Sequence, residues 1–372
     1  MKKRTLLAGI ALCFAAWLPA QKLPPRSEVV ETLKSVADWQ IKDYDAGHHA
    51  ADPDWTNGAL FTGMFDWAQL AEKLDGDQTY YKWLYKIGAR NRWHPDRAMY
   101  HADAFCVCQT YIDLYIKYKK RDILLPTIAR IEFVLNHPSD EGFDYTHGKP
   151  STMERWSWCD ALFMAPPVYA KLYRLTGEKR FMDFADREFR ATTAHLFDPA
   201  ENLFHRDHNY MPPKLEANGK KIFWGRGNGW VIAGLANMLK ELPQGDAYRP
   251  FYEDLYVRIA KRLAEIQSPD GYWHASLLDP QSYPSPETSA TGFITYGIAY
   301  GINAGLLDKN KYLPVVAKGW KAMLDATDPD GRLGFVQPVG EDPKKVTREM
   351  TAVYGPGAML SAGCEIYKLA GK

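Results

Sequence analysis

From residue 27 to residue 369 the chain alternates between two kinds of helix-forming segment, and that alternation limits the folds open to it. One kind opens on a polar or glycine-containing entrance and continues through Ala, Gly, Leu and Tyr; it occupies 55–74, 101–118, 156–175, 225–242, 287–307 and 351–369. The other kind, at 27–44, 78–91, 121–135, 179–196, 249–266 and 310–326, repeats its apolar residues every three or four positions and is charged elsewhere. A helix that is apolar all round must be buried, whereas a single apolar stripe marks a helix with one wet face. Six segments of each kind therefore predict two concentric layers, an all-α (α/α)6 toroid in one domain over 21–372. A linear solenoid would leave its terminal apolar faces exposed without capping repeats, and the sequence contains none. Strand content should be minor and confined to turns such as SPDGYW (268–273) and DPDGRLGF (328–335).

Residues 1–20 read as an export signal rather than as part of the fold. Lys2, Lys3 and Arg4 form a basic start, Leu6 to Leu18 an apolar stretch, and Ala20 a small residue for cleavage before Gln21. The apolar stretch is too short for a spanning helix, which predicts an exported protein, periplasmic or secreted, with no membrane-spanning segment. Loss of those three basic residues takes the formal net charge from +1 to −2, a balance that argues against a nucleic-acid or membrane-surface partner. Cys106, Cys108, Cys159 and Cys364 remain in apolar, helix-like stretches without metal-ligand spacing, and are expected to be buried thiols. No metal and no organic cofactor is expected.

A toroid of this kind gathers the inner-helix entrances around one mouth. Trp55, Asp103, Trp158, Asp160, Trp224, Arg226 and Trp230 all lie in those entrances. Acid, arginine and tryptophan together describe a site for an anionic sugar, whose apolar faces stack on indole rings. In RWSWCDALFMAPP (155–167), Asp160 is read either as a helix cap or as a proton donor in an aromatic pocket. Asp103, in HADAF, allows the same two readings. In FWGRGNGW (223–230), glycines alternate with Trp224, Arg226 and Trp230, and Arg226 offers a bidentate fork to a carboxylate. In LFHRDHNY (203–210), His205 and His208 sit on a long connection; their spacing without a partner motif makes a weak case for metal. Trp55, in DWTNG, is a stacking platform or a rim aromatic.

The pair W-x-D-x-L-F-M at 158–164 and W-x-R-G-x-G-W at 224–230, each opening an inner helix, resembles glycoside hydrolase family 105, the unsaturated rhamnogalacturonyl hydrolases. These are related to the unsaturated glucuronyl hydrolases of family 88. The resemblance extends to ETSATGFITYGIAYGI and AVYGPGAML and so covers the mature chain. It implies the (α/α)6 barrel reached above from helix counting. It further implies Asp160 as general acid and base, Asp103 as the second acidic residue, and Trp55, Trp158, Trp224, Arg226 and Trp230 as the lining of the sugar subsite. His205 or His208 would supply the histidine that relatives carry before the arginine motif.

The implied reaction is hydration of a vinyl ether in a terminal 4,5-unsaturated uronic acid, with an unsaturated oligosaccharide as substrate. Galacturonyl–rhamnose from rhamnogalacturonan is the leading case; glucuronyl units from other lyase products are the alternative. A sugar epimerase or lyase on the same toroid, or a carbohydrate-binding protein using the same aromatics, are the rival functions.

Overall fold

A computed structural model describes residues 22–371; the export signal read in 1–20 lies outside them. Six helices form the outer layer: α1 (Arg26–Asp45), α3 (Thr79–Arg90), α5 (Arg121–Asn136), α8 (Lys179–Leu196), α10 (Arg249–Glu265) and α12 (Lys309–Asp325). The inner layer is α2 (Trp55–Asp75), α4 (Cys106–Tyr118), α6 with α7 (Ala161–Met164, Pro166–Thr176), α9 (Gly225–Glu241), α11 (Thr288–Asn303) and α13 (Tyr354–Leu369). Inner helices pack in the cyclic order α2, α4, α7, α9, α11, α13, and α13 returns to α2. Each outer helix backs the inner helix before it in sequence, and α1 backs α13, so the two ends of the chain close the ring together. The toroid expected from the alternation is the fold observed. The reason is visible in α11, where every residue from Thr288 to Ile302 is buried, while α8 alternates buried Phe181, Met182, Ala185 and Phe189 with a charged face.

Strand is scarce among the described residues. The one antiparallel ladder among the described residues, Phe197–Asp198 with Leu203–Phe204, lies in the connection after α8 rather than at the turns singled out from sequence. The turn at 328–335 holds only an isolated bridge, Thr327 to Leu333, and the turn at 268–273 closes through Ser268 N–H donating to Tyr272 O at 3.1 Å.

The third inner helix departs from the single segment expected over 156–175. Pro166 and Pro167 lack the N–H groups that the carbonyls of Leu162 and Phe163 would accept in a continuous helix, and the helix breaks there. Buried Gln109 of α4 repairs the loss by donating from Nε2 to Phe163 O at 2.8 Å. Asn237 of α9 in turn donates to Gln109 Oε1 at 3.3 Å. Gly234 of α9 permits the close approach, because a Cβ there would stand 2.2 Å from Leu162 O. Gln109→Leu removes the repair without removing bulk and should cost about 1–3 kcal/mol, the penalty for a buried unpaired carbonyl. The midpoint of a denaturant titration measures it, and no change in midpoint would show that another group takes over the carbonyl.

The two mouths of the barrel differ. Where the inner helices end, a basin of about 830 Å³ is lined by charges paired with one another. Lys171 reaches Asp113 at 2.7 Å and Glu241 at 3.1 Å, and Lys240 reaches Glu365 at 3.4 Å. Lysines there also complement the negative ends of the helix dipoles. The inner helices begin at the other mouth, among the tryptophans. Among the described residues no helix is long and apolar enough to cross a membrane, and the four cysteines are buried and free.

Candidate active site

The break in the third inner helix explains how Asp160 is presented. Trp158, Cys159 and Asp160 form a turn whose carbonyls accept from Ala161, Leu162 and Phe163, and only four helical residues follow before the break. Asp160 itself has helical dihedrals (φ −63°, ψ −30°), and its carboxyl makes no capping hydrogen bond among the described residues. The cap reading therefore lacks its bond. The carboxyl accepts instead from the Cys159 thiol at 3.3 Å. Gly227 of α9 packs against the same turn, where a Cβ would stand 3.0 Å from Cys159 Sγ and 3.1 Å from the Trp224 ring. With only 8% of the residue exposed, burial raises the Asp160 pKa, while Arg206 and the Cys159 thiol oppose that rise.

Asp103 lies in a short 3-10 turn, Ala102–Phe105, that leads into α4. Its N–H donates to His101 Nδ1 at 3.2 Å, which fixes that nitrogen as an acceptor. His101 is accordingly neutral: burial and the nearby Arg206 charge lower its pKa to about 4. Asp103 Oδ1 is enclosed with no hydrogen-bond partner among the described residues. Burial, then the charge of Asp160, pushes the Asp103 pKa up to about 8. The two carboxyl groups thus share one electrostatic environment, in which burial raises both and the charge of Asp160 further disfavours ionisation of Asp103.

The aromatic residues fall into two groups, one around Trp158 and one around Trp230. Trp158 is 2% exposed, and its ring centroid lies 4.7 Å from that of His101. Trp230 is fully buried between Phe163 (4.8 Å) and Phe293 (4.2 Å). Trp55 meets Trp230 edge-on at 5.9 Å and stacks on Tyr354 at 5.5 Å. Trp224 caps α9 and donates from Nε1 to Gln337 Oε1 at 3.1 Å.

Arg226 is placed differently from the carboxylate fork expected of it. It is fully buried, and its guanidinium lies between the rings of Trp224 (4.4 Å) and Tyr354 (4.9 Å). Both terminal nitrogens donate to backbone carbonyls, Gln337 O at 2.5 Å and Pro338 O at 3.0 Å. It anchors the loop before α13 and presents no exposed edge.

The cation whose charge acts on the acids is Arg206, which no motif in the sequence singles out. It is the foremost positive charge acting on both Asp103 and Asp160. Cys159 N–H donates to Arg206 O at 2.8 Å, so the connection after α8 runs beside the Asp160 turn. Asn228 of α9 pins the same connection by donating to Phe204 O at 3.0 Å and accepting from Phe204 N–H at 2.8 Å. Of the two histidines on that connection, His205 is turned toward Ile222 O (3.2 Å) and Asp198 (3.7 Å) and stacks on Phe223. His208 keeps an enclosed Nδ1 without a partner among the described residues. No group of three His, Cys, Asp or Glu suited to a metal ion occurs among the described residues.

Residues 32–370 match the profile of glycosyl hydrolase family 88. The chain belongs to that family. This family 88 chain is 36% identical over 379 residues to an unsaturated 3S-rhamnoglycuronyl hydrolase of Formosa agariphila, covering 99% of this chain and 98% of the relative. A protein of the same name from Alteromonas sp. (strain LOR) is 33% identical, covering 93% of this chain and 88% of the relative. Among solved structures, a protein named a polysaccharide lyase superposes with a TM-score of 0.83 at 33% identity, over 92% of this chain and 98% of its own. A glycosyl hydrolase family 88 protein from Bacteroides vulgatus gives 0.82 at 30% identity, over 93% of this chain and 99% of its own. The family 88 chain is a glycoside hydrolase.

Besides Arg206, Tyr354 and Gln337 take part in the site without a motif that marks them in the sequence. Tyr354 lies in the AVYGPGAML stretch singled out for another reason, and its hydroxyl donates to Gln337 O at 2.5 Å. Gln337 had no sequence signal. It is held because its N–H donates at 3.0 Å to Glu287, the buried cap of α11.

Proposed function

We propose that the enzyme removes a terminal 4,5-unsaturated uronic acid from a rhamnose-containing oligosaccharide by hydrating the C4=C5 vinyl ether. The observation that carries this reading is Asp160: a buried carboxyl with a raised pKa and no capping role, beside a second carboxyl and an arginine. Hydration needs a proton delivered to a carbon atom and then a base for water, and one such carboxyl serves both steps. Asp160 protonates C4, which places cationic character on C5 and the ring oxygen. The resulting carboxylate takes a proton from water as the water oxygen bonds to C5. The C5 hemiketal opens to a ketone, and the hemiacetal left at C1 expels the aglycone alcohol. C1 is never attacked.

Elimination makes C4 and C5 trigonal, and C4 is the only centre at which glucuronate and galacturonate differ. Both parents therefore yield the same unsaturated ring, and the choice between them falls on the aglycone and its linkage. The Formosa and Alteromonas relatives, named for rhamnoglycuronyl substrates, support a uronyl unit linked to rhamnose as the place of cleavage, which the rhamnogalacturonan fragment expected from sequence also contains. A lyase is the second reading, favoured by the similar structure named a polysaccharide lyase. Absorbance of the conjugated enoate separates the two by sign: a hydrolase consumes it from unsaturated disaccharides, whereas a lyase generates it from intact uronides. We expect consumption with unsaturated uronyl–rhamnose disaccharides of either origin. A rise with intact substrate alone would replace this reading with the second.

Export belongs to the same proposal, supported by the basic and apolar character of residues 1–18. An intact mass beginning at Gln21 is the expected result for protein recovered from outside the cytoplasm, and a retained Met1 would count against it.

A further inference from the structure

With Arg226 committed to two carbonyls, the substrate's carboxylate needs another cation, and the site contains one in an unusual setting. Arg206 is 11% exposed in its side chain and forms a 2.6 Å ion pair with fully buried Asp207. Its guanidinium also lies over the Tyr145 ring at 4.9 Å. The same Nη1 that pairs with Asp207 meets a second carboxylate, Glu341, at 3.3 Å, while its Nε is enclosed with no partner among the described residues.

The two carboxylates differ. Asp207 belongs to the connection itself and accepts from Asn209 N–H at 2.8 Å, so it is fixed. Glu341 reaches in from the irregular segment between Gln337 and the start of α13, with a third of its side chain exposed. Its other ionic neighbour is His147, 4.0 Å away, beyond hydrogen-bonding reach and mostly in solvent. Glu341 is thus a partly exposed carboxylate, on an irregular segment, held by a buried cation beside the catalytic acids.

We propose that Arg206 is the seat of the uronate carboxylate and that Glu341 occupies this seat in the free enzyme, to be exchanged for the substrate on binding. This rests on the hydration reading above and deepens it. The exchange keeps the charge count of the pocket constant, since one carboxylate replaces another, which limits the cost of burying an anionic sugar. It also gives the chemistry its geometry. C4 is two bonds from the carboxyl carbon, so a carboxylate on Arg206, whose carbonyl accepts from the N–H of Cys159 next to Asp160 at 2.8 Å, brings C4 toward the proton donor. A neutral sugar could not displace Glu341 without leaving Arg206 a partner short, and anionic selectivity follows.

Tryptophan fluorescence titration tests this with 4,5-unsaturated glucuronyl–rhamnose and its C6 methyl ester as probes. Wild-type protein should bind the acid about 10- to 100-fold more tightly than the ester, the range for a hydrogen bond to a charged group. Arg206→Gln should bring that ratio near one, and Arg206→Lys should keep part of it. Glu341→Gln should tighten acid binding about threefold by removing the competitor. A ratio that survives in Arg206→Gln overturns the seat, and weaker acid binding by Glu341→Gln overturns the exchange. Should Arg206→Gln fail to fold, Arg206→Lys and Glu341→Gln still decide. Acid binding without turnover by wild type would defeat the hydrolase reading and leave the seat standing; no binding of the acid to wild type would defeat both.

Discussion

Asp160→Asn lowers turnover of the unsaturated disaccharide by about a thousandfold or more, a loss of the size expected when a general acid–base group is removed, while the disaccharide still binds. The amide keeps the shape of the carboxyl and its place beside Gly227, so the sugar subsite stays intact. It can neither give a proton to C4 nor accept one from water, so both chemical steps fail together. Stability should not fall with activity, because Asp160 makes no capping bond to lose. Replacing a buried acid whose ionisation is penalised by a neutral amide is expected to leave the melting temperature unchanged or raise it. Three readings follow from one preparation: initial rate by loss of enoate absorbance, dissociation constant by tryptophan fluorescence, and melting temperature. Retention of a tenth of wild-type kcat would falsify the assignment of Asp160 as the proton donor. Loss of binding in parallel with rate would instead make Asp160 a substrate contact.

The fold was legible because burial leaves a mark in every helix. α11 has no charged residue, and α8 has one apolar stripe, so layer membership could be read segment by segment. What the sequence did not reveal is set by contacts between distant segments. The consecutive prolines at 166 and 167 signal a break, but its repair by Gln109 depends on a side chain 54 residues away. Asp160 was recognised as unusual from its aromatic and apolar neighbours, though both of its readings survived until the cap bond was seen to be missing. Arg226 was read as a clamp because its glycine-spaced setting suggested a ligand. Its real partners, the carbonyls of Gln337 and Pro338, lie more than a hundred residues on. Arg206 was hidden for the complementary reason. It stands between two histidines that drew attention, and only the pairing of Cys159 N–H with its carbonyl brings it to Asp160. Irregular connections have no periodicity to read, and this site is built largely where such connections meet helix entrances.

Asp103→Asn should make the enzyme more stable and less active, with a pH signature that identifies the cause. The folded pKa of Asp103 is about 8, whereas an unfolded aspartate titrates near about 4. Between those values the folded state binds the proton and the unfolded state does not, so stability falls as pH rises through this window. Below it both states are protonated and Asp103 costs nothing. Above it the full penalty of an ionised, enclosed carboxyl is present. The asparagine variant escapes that penalty, so its melting temperature should match wild type near pH 4 and exceed it by several degrees at pH 8. His101, with a pKa lowered to about 4, works in the opposite sense. It is charged in the unfolded chain but neutral when folded, so it destabilises the protein as pH falls below about 6.5, equally in both proteins. The difference between the two melting curves therefore isolates Asp103. Activity gives the second half of the signature. The protonated Asp103 keeps one negative charge off the pair, and wild-type kcat/KM should decline as pH rises through about 8. The variant cannot ionise, so it should lack that decline while running about a hundredfold slower. A variant that is slower but keeps the wild-type alkaline limb would move the titration to another group. Equal melting temperatures at pH 8 would show that the Asp103 carboxyl is solvated in the folded protein.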